Sequence, residues 1–209
     1  CNITEGLMAL DIESKIYPLL AETFENPDAQ TFIYNLRAGV KFHDGTEVTV
    51  ADAIASIERV RSAAIASPMA WMFDNVESIA ETAPMQLTIK LKVPSASFTY
   101  VMATTAGHVM PKSLIDANLD LPTQEPIGTG PYKFVERNPG RYIELAKFAD
   151  YSARSDAADG YAGKRTAMFD KIRFIPVSDV GTRVNGVKAG DYDYAEQISG
   201  DLYDMLSSD

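Results

Sequence analysis

The chain has 209 residues, 46% of them hydrophobic and 23% charged, the composition of an ordered globular protein and not of a disordered or membrane-embedded one. Its 29 acidic residues against 19 basic ones leave a formal net charge of -10, which repels a phosphate backbone or an anionic lipid surface and argues against nucleic acid as a partner. No run of eighteen apolar residues occurs, so no spanning helix is expected, and the single cysteine, Cys1, cannot form an intrachain disulfide.

In chain order, the stretch after Cys1, "NITEGLMAL", reads as a helix running into the fold and not as a polar tether. Cys1 is therefore expected to be a cut edge, and not the lipid-bearing first residue of a mature lipoprotein. Over 31–36, Phe32, Tyr34 and Leu36 alternate with Thr31, Ile33 and Asn35, the pattern of a half-buried strand, and Val40 and Phe42 are expected to continue it. Asp44-Gly45 marks a tight turn. Thr49 and Asp52 have the spacing of a capping box ahead of Val50, Ala53, Ile54, Ile57 and Val60, which recur on one helical face with Asp52, Glu58 and Arg59 opposite.

Residues 86–93, "QLTIKLKV", alternate strictly and predict a strand with one wet face, Leu87, Ile89, Leu91 and Val93 turning inward. Short helices are expected over 96–103 and from Pro111 onward. Strand patterns at 132–135 and 141–148 flank Asn138-Pro139-Gly140 and predict a hairpin. The run "FDKIRFIPV", 169–177, reads as a strand. Ser178 or Asp179 then caps a helix with Val180, Val184 and Val187 on its apolar side, closed by Gly190. A brief strand, "YDYAEQI", and a helix around Leu202, Met205 and Leu206 are expected to finish the chain. The stretch 149–167, rich in Ala, Asp, Ser and Gly, reads as a long surface excursion, and 120–126 is a second composition break. Strands and helices mixed irregularly, with several hairpins, predict an α/β fold of the mixed α+β kind.

Signatures of catalysis are absent. There is no nucleophile elbow and no Walker A loop, and "GTGPYK" carries Lys133 where a dinucleotide fingerprint needs its third glycine. His43 and His108 are the only histidines and lack zinc-site spacing; His43 is expected to pack against or cap its turn. Asp191 and Asp193 stand two apart on a predicted strand and so on one face, where an acid/base pair or a calcium site can be imagined. The plainer reading, acids on a solvated sheet face, is preferred because nothing nearby adds ligands or a desolvating pocket.

Two motifs hold more promise for binding. "PIGTGPY", 126–132, sets Gly128, Thr129 and Gly130 between prolines and reads either as a sharp turn entering a strand or as a crossing whose N–H groups meet a ligand. Trp71, the only tryptophan, lies between Met69 and Met72; such a cluster is by default core, and as a ligand wall would give broad contact without strict shape demands.

The stretch "FIYNLRAGVKFHDGTEVTVADAIASIERV" resembles the signature segment of the peptide/nickel-binding class, family 5, of substrate-binding proteins serving bacterial ABC importers. "EGLMALD", "YPLLAETFE", "LTIKLKVPSASF", "PIGTGPYKFVE" and "TRVNGVKAGDYDYAEQIS" extend the likeness, in order, over nearly all of 5–206. The resemblance implies a type II periplasmic-binding-protein-like fold, two-lobed and closing on its solute by hinge motion, with no cofactor and no catalytic residue. It implies a peptide or other small-molecule ligand, with a nickel or metal chelate as the alternative, a membrane permease as partner, and a place in the periplasm or tethered at the outer face of the cytoplasmic membrane. Residues 5–125 would be the family's extra subdomain of the N-terminal lobe and 126–209 the central part of that lobe, the second lobe lying outside the chain. Leu7, Met8 and Ala9 would lie near the ligand, as would Trp71, which matches in place a tryptophan of some nickel-chelate binders. Pro68 stands where those binders have an arginine, which argues against a carboxylate-bearing chelate. An acidic residue that fixes a peptide's amino end would come from the second lobe.

Overall fold

The computed structural model describes residues 2–117, 125–203 and 206. The chain divides into two compact units, one of residues 1–136 with 145–172 and the other of 137–144 with 173–209.

The first unit is built on a four-stranded antiparallel sheet of β3 (Ala21–Asp28), β4 (Thr31–Leu36), β5 (Val76–Ala83) and β6 (Gln86–Leu91), ordered β3-β4-β6-β5. A hairpin of β1 (Met8–Leu10) and β2 (Ile16–Pro18) precedes it in the chain. Phe32, Tyr34 and Leu36 of β4 and Leu87, Ile89 and Leu91 of β6 bury one face of the sheet together with Val50, Ala53 and Ile57 of helix α1 (Val50–Arg61). Phe98 of α2 (Phe98–Ala103) meets Phe32 edge to face with ring centroids 5.0 Å apart, a favoured aromatic geometry.

The outer face of the sheet is held by side-chain amides and hydroxyls. Asn35 donates to Thr23 (2.8 Å) and accepts from Gln86 (2.9 Å), Thr82 donates to Gln86 (2.8 Å), and Thr82 and Thr88 share a bond of 2.7 Å. This ladder crosses all four strands and fixes their register from the polar side. Both edge strands are interrupted, β3 by register shifts between Ala21/Thr23 and Glu25/Asp28 and β5 between Val76/Ser78 and Glu81/Ala83.

The capping box of α1 forms as expected: Asp52 N–H donates to Thr49 Oγ1 (3.3 Å) and Thr49 N–H to Asp52 Oδ2 (2.8 Å). Asp52 is nonetheless buried and not on the wet side of the helix, because its second oxygen accepts Lys112 N–H at 2.7 Å and so ties α1 to the start of α3 (Lys112–Ala117). Gly45 takes φ +88 in the expected turn. Val40 and Phe42 are buried beside it but extend no strand. Val93 lies past the end of β6 and is 59% exposed, while Thr88, on the outer face, is nonetheless buried.

Two further expectations fail in this unit. Residues 8–10 form β1 and not a helix: Leu7, Met8 and Ala9 are all buried, so the run has no polar face to show a helical or a strand period, and Leu7 O accepts the N–H groups of Leu19 and Ala21. The stretch 149–167 is a packed strap and no loose excursion. Arg37 Nη2 donates to Ser152 O (2.7 Å), Arg154 Nη1 to Ala21 O (2.9 Å), and Ala162 and Ala167 are buried. A small cluster of Tyr132, Leu145 and Ala167 packs where β7 (Tyr132–Asn138), β8 (Tyr142–Lys147) and β9 (Lys171–Phe174) form a sheet in that order. The β7–β8 turn is the predicted one, with Gly140 at φ +73.

In the second unit, α4 (Val180–Ala189) is capped by Asp179, which accepts Thr182 N–H at 2.7 Å, and stopped by Gly190 at φ +78. The strand expected over "YDYAEQI" does not form. Asp191 N–H turns back to Gly186 O at 2.8 Å, and the Tyr192 ring lies against Gly186, where a Cβ would stand 2.3 Å from it. Arg183 holds the return by donating to Val177 O (2.6 Å) and Gln197 O (3.1 Å). Asp191 and Asp193 thus sit in an exposed loop and share no sheet face. A 3-10 turn, Gly200–Leu202, leads into helical residues Tyr203 and Leu206 where the last helix was expected; Met205, like Cys1 and most of the 120–126 break, lies outside the described residues. Among the described residues no helix is long and apolar enough to cross a membrane.

Among the described residues the hydroxyl of Tyr34, buried in the main core, has no hydrogen-bond partner, and burial pushes its ionisation above the usual tyrosine range. Removing an unsatisfied buried group while keeping the ring relieves a desolvation penalty. Tyr34→Phe is expected to raise stability by about 1 kcal/mol, read as a higher urea midpoint at unchanged m-value.

Candidate binding site

The site is assembled around the N-terminal segment, residues 2–6, which runs between the glycine motif and the stretch after α2. Gly130 N–H donates to Ile3 O (2.8 Å) and Tyr132 N–H to Asn2 O (3.1 Å). A Cβ on Gly128 would lie 2.2 Å from Ile3 O and one on Gly130 2.4 Å from Asn2 O, so both positions demand glycine for close backbone approach. On its other side Gly6 bridges His108, and Val109 N–H donates to Glu5 O at 2.9 Å.

His43 reaches well past its own turn. Its Nε2 lies 2.9 Å from Gly130 O and its Nδ1 accepts Gly128 N–H at 3.3 Å. Both bonds are made by the neutral ring with its proton on Nε2, and burial holds His43 below the ordinary histidine value. Beneath the segment Glu5, 2% exposed, accepts from Thr129 Oγ1 (2.9 Å), Tyr151 Oη (2.7 Å) and Arg165 Nη1 (3.1 Å). Burial pushes its carboxyl up, and Arg165, Tyr151 and Thr129 pull it back.

Above this floor an open cleft of about 250 Å³ lies at the C-terminal end of α1, with Thr4, Arg59, Val60, Ser67, Thr105 and His108 among its lining. Thr4 Oγ1 and His108 Nδ1 are 2.8 Å apart, and burial above all, with the charge of Arg165 adding to it, lowers the His108 pKa to about 4. Thr105 donates to Met69 Sδ at 3.4 Å and Ser67 Oγ accepts Met69 N–H at 3.2 Å, so Met69 sits at the rim. Trp71, in the 3-10 turn Ala70–Phe73, is 67% exposed. Leu7, Met8 and Ala9 send their side chains into buried packing, and Gly128, Thr129 and Gly130 are buried against the N-terminal segment. Sequence patterning passed over Glu5, Tyr151, Arg165 and the Thr4–His108 pair, which come together only by folding. The one hint was an acid, Glu5, at the head of an apolar run.

The family profile of the bacterial extracellular solute-binding proteins, family 5 (middle region), matches residues 15–209, and the chain belongs to that family. Among its relatives, the glutathione-binding protein GsiB of Escherichia coli (strain K12) is 28% identical over 195 residues, covering 93% of this chain and 36% of that protein. AgaA from A. tumefaciens R10, solved with agropinic acid, superposes with a TM-score of 0.80 at 33% identity over 91% of this chain and 37% of its own. NikZ from Campylobacter jejuni, solved with Ni(L-His), superposes with a TM-score of 0.84 at 26% identity over 100% of this chain and 40% of its own. The fold is that of the type II periplasmic binding proteins, and the family is one of solute-binding proteins. The chain spans between a third and a half of the length of these relatives.

Because His108 is held near 4 against an ordinary value of 6.5, the unfolded chain binds the extra proton first, and the stability this group contributes is present above about pH 6.5 and lost as pH falls through about 4. Glu5, raised by burial, acts with the opposite sign above its ordinary value of 4.5, so the comparison with a variant isolates the histidine. His108→Gln is expected to lose less stability than the parent between about pH 7 and about pH 4.5, measured by urea unfolding at each pH; parallel losses would contradict the assignment.

Proposed function

We propose that this chain is the solute-facing part of an extracytoplasmic binding protein that captures a peptide or similar small solute and delivers it to the permease of an ABC importer. The observation that carries the reading is the open cleft on a rigid floor, lined by hydroxyls, apolar side chains, an imidazole and a guanidinium, within a chain of the family 5 solute-binding proteins. Capture requires walls and hydrogen-bond donors and nothing more. In this reading residues 5–125 form the family's extra subdomain and 126–209 the central part of the first lobe. A second lobe, beyond the part of the relatives that this chain matches, supplies the opposite wall. Met69 and Trp71 then offer the adaptable apolar face of the site. Leu7, Met8 and Ala9, with Gly128, Thr129 and Gly130, shape it through their backbone. The protein works in the periplasm or tethered to the outer face of the cytoplasmic membrane.

A metal chelate is the second reading, favoured by the superposition with NikZ, solved with Ni(L-His), along the whole chain. His43 spends both ring nitrogens on the glycine motif and His108 one on Thr4, so a metal would arrive already complexed.

Thermal shift of the whole protein against short peptides, glutathione and Ni(L-His) separates the two, since a ligand of the folded state raises the melting temperature by mass action. A solute that stabilises the whole protein is expected to bind this chain alone at least about a hundredfold more weakly, because one wall leaves much of the solute wet and recovers too little surface to offset its immobilisation. Equal affinity by calorimetry would contradict the two-walled site, and turnover of any of these solutes would contradict the binding role.

A further inference from the structure

The bonds on His43 make the glycine motif sensitive to a single proton. Three of them join this residue to the motif: its backbone N–H donates to Gly128 O (2.9 Å), its Nε2 to Gly130 O (2.9 Å), and its Nδ1 accepts Gly128 N–H (3.3 Å). The last of these fixes the state of the ring, because a backbone amide can only donate and an imidazolium has no lone pair to receive it. A second proton, on Nδ1, would point at Gly128 N–H and turn a bond into a meeting of two donors. The ring has little room to turn away. Phe148 packs against it edge to face with centroids 4.9 Å apart and is itself tied to the motif by its N–H on Pro131 O (2.9 Å). Swinging out would also leave Gly128 N–H and Gly130 O, both on buried residues, without the ring that satisfies them.

What the motif holds is the N-terminal segment, through Gly130 N–H on Ile3 O and Tyr132 N–H on Asn2 O. The two backbones pass so closely that a Cβ on Gly128 or Gly130 would stand within 2.4 Å of a carbonyl oxygen, and a contact that tight cannot take up a shift of the motif without straining the bonds across it. The segment in turn carries Thr4 into the lining of the cleft. We infer that His43 is a proton-sensitive latch: the neutral ring seats the N-terminal segment in the glycine motif, and the protonated ring unseats it together with the cleft wall that bears Thr4. The latch belongs to the chain without solute, so it goes beyond the binding reading and stands or falls apart from it. Burial above all holds the ring below its ordinary value of 6.5; the bond to Gly130 and the carboxylate of Asp44 favour the proton, and the charge of Lys133 opposes it. With the seated ring the weaker base, the latch is fully engaged above about pH 6.5 and released as pH falls through the lower value of the seated ring. Two other titrating groups touch the segment, Glu5 through Thr129 and His108 through Thr4.

Amide hydrogen exchange of the isotopically labelled protein, followed by NMR from about pH 7 down to about pH 4 with the His43 ring nitrogens recorded alongside, tests the latch. At neutral pH Nδ1 of His43 is expected to be unprotonated. As the ring titrates, exchange of the Gly128, Gly130 and Tyr132 amides, corrected for its intrinsic pH dependence, is expected to quicken by about tenfold for each pH unit between the midpoint of the ring and its ordinary value. The amides of Leu36 and Leu91, which donate to Met85 O and Gln30 O, report the four-stranded sheet and are expected to keep their protection. His43→Asn, which offers Gly128 N–H an acceptor that does not titrate in this range, is expected to abolish the step, and His108→Gln to leave it in place. A proton on Nδ1 at neutral pH, protection unchanged across the titration of the ring, a step that survives His43→Asn or vanishes with His108→Gln, or loss at Leu36 and Leu91 together with the motif would each overturn the inference. Should His43→Asn not fold, the parent chain decides: coincident midpoints of ring and exchange support the latch, and separate midpoints overturn it.

Discussion

One buried carboxylate organises the ground under the site. Glu5 is almost wholly removed from water, and an ionised acid in that position is costly unless charge and hydrogen bonds answer it. Thr129, Tyr151 and Arg165 do so from separate parts of the chain. The N-terminal segment, the glycine motif and the strap are therefore bound to one another through a single side chain, and none can shift without leaving a charge unpaired in the interior. The close passage of Gly128 and Gly130 over Asn2 and Ile3 and the two bonds of His43 add direction to that anchorage. What results is a floor with little freedom, on which Thr4 and His108 are held at a fixed separation.

The cleft above depends on that floor for one side and on α1 for the other. The helix is fixed at its start by Thr49 and by the reach of Asp52 to Lys112, and along its length by Val50, Ala53 and Ile57 in the core. Its last turn, carrying Arg59 and Val60, is therefore placed from a distance by interactions at the first. In the proposed binding role, preorganisation of this kind would spare the cleft the cost of ordering its own groups.

How much of this was legible depended on whether the deciding interaction was local. The capping box at Thr49, the glycine turns at Gly45 and Gly140 and the stop at Gly190 are set by residues within a few positions of each other, and each formed as read. The strands over 31–36 and 86–91 were legible because one of their faces is wet. The run 7–9 was not: buried on every side, it carries no period, and only its pairing with 16–18 made it a strand. The strap at 149–167 has the composition of a loop, and its order comes from Arg37, Arg154 and Arg165, whose targets lie far off in sequence. The expected strand after Gly190 lost to the contact of Tyr192 with Gly186, a packing choice invisible to alternation. At the site, the glycine motif was legible as a demanding backbone but not as a seat for the N-terminal segment. Arg59 read as one more charge on a wet helix face, because nothing local says that the chain folds a cleft in front of it.

The broken edges of the four-stranded sheet have a consequence for the molecule in bulk. An uninterrupted outer strand offers a neighbour a straight row of amide and carbonyl groups, and chains can add to such a row indefinitely. Here each outer strand is interrupted twice by register shifts, so an incoming strand would find its partners out of step after a few residues. The continuous row of partners that fibre growth needs is thereby denied at both edges.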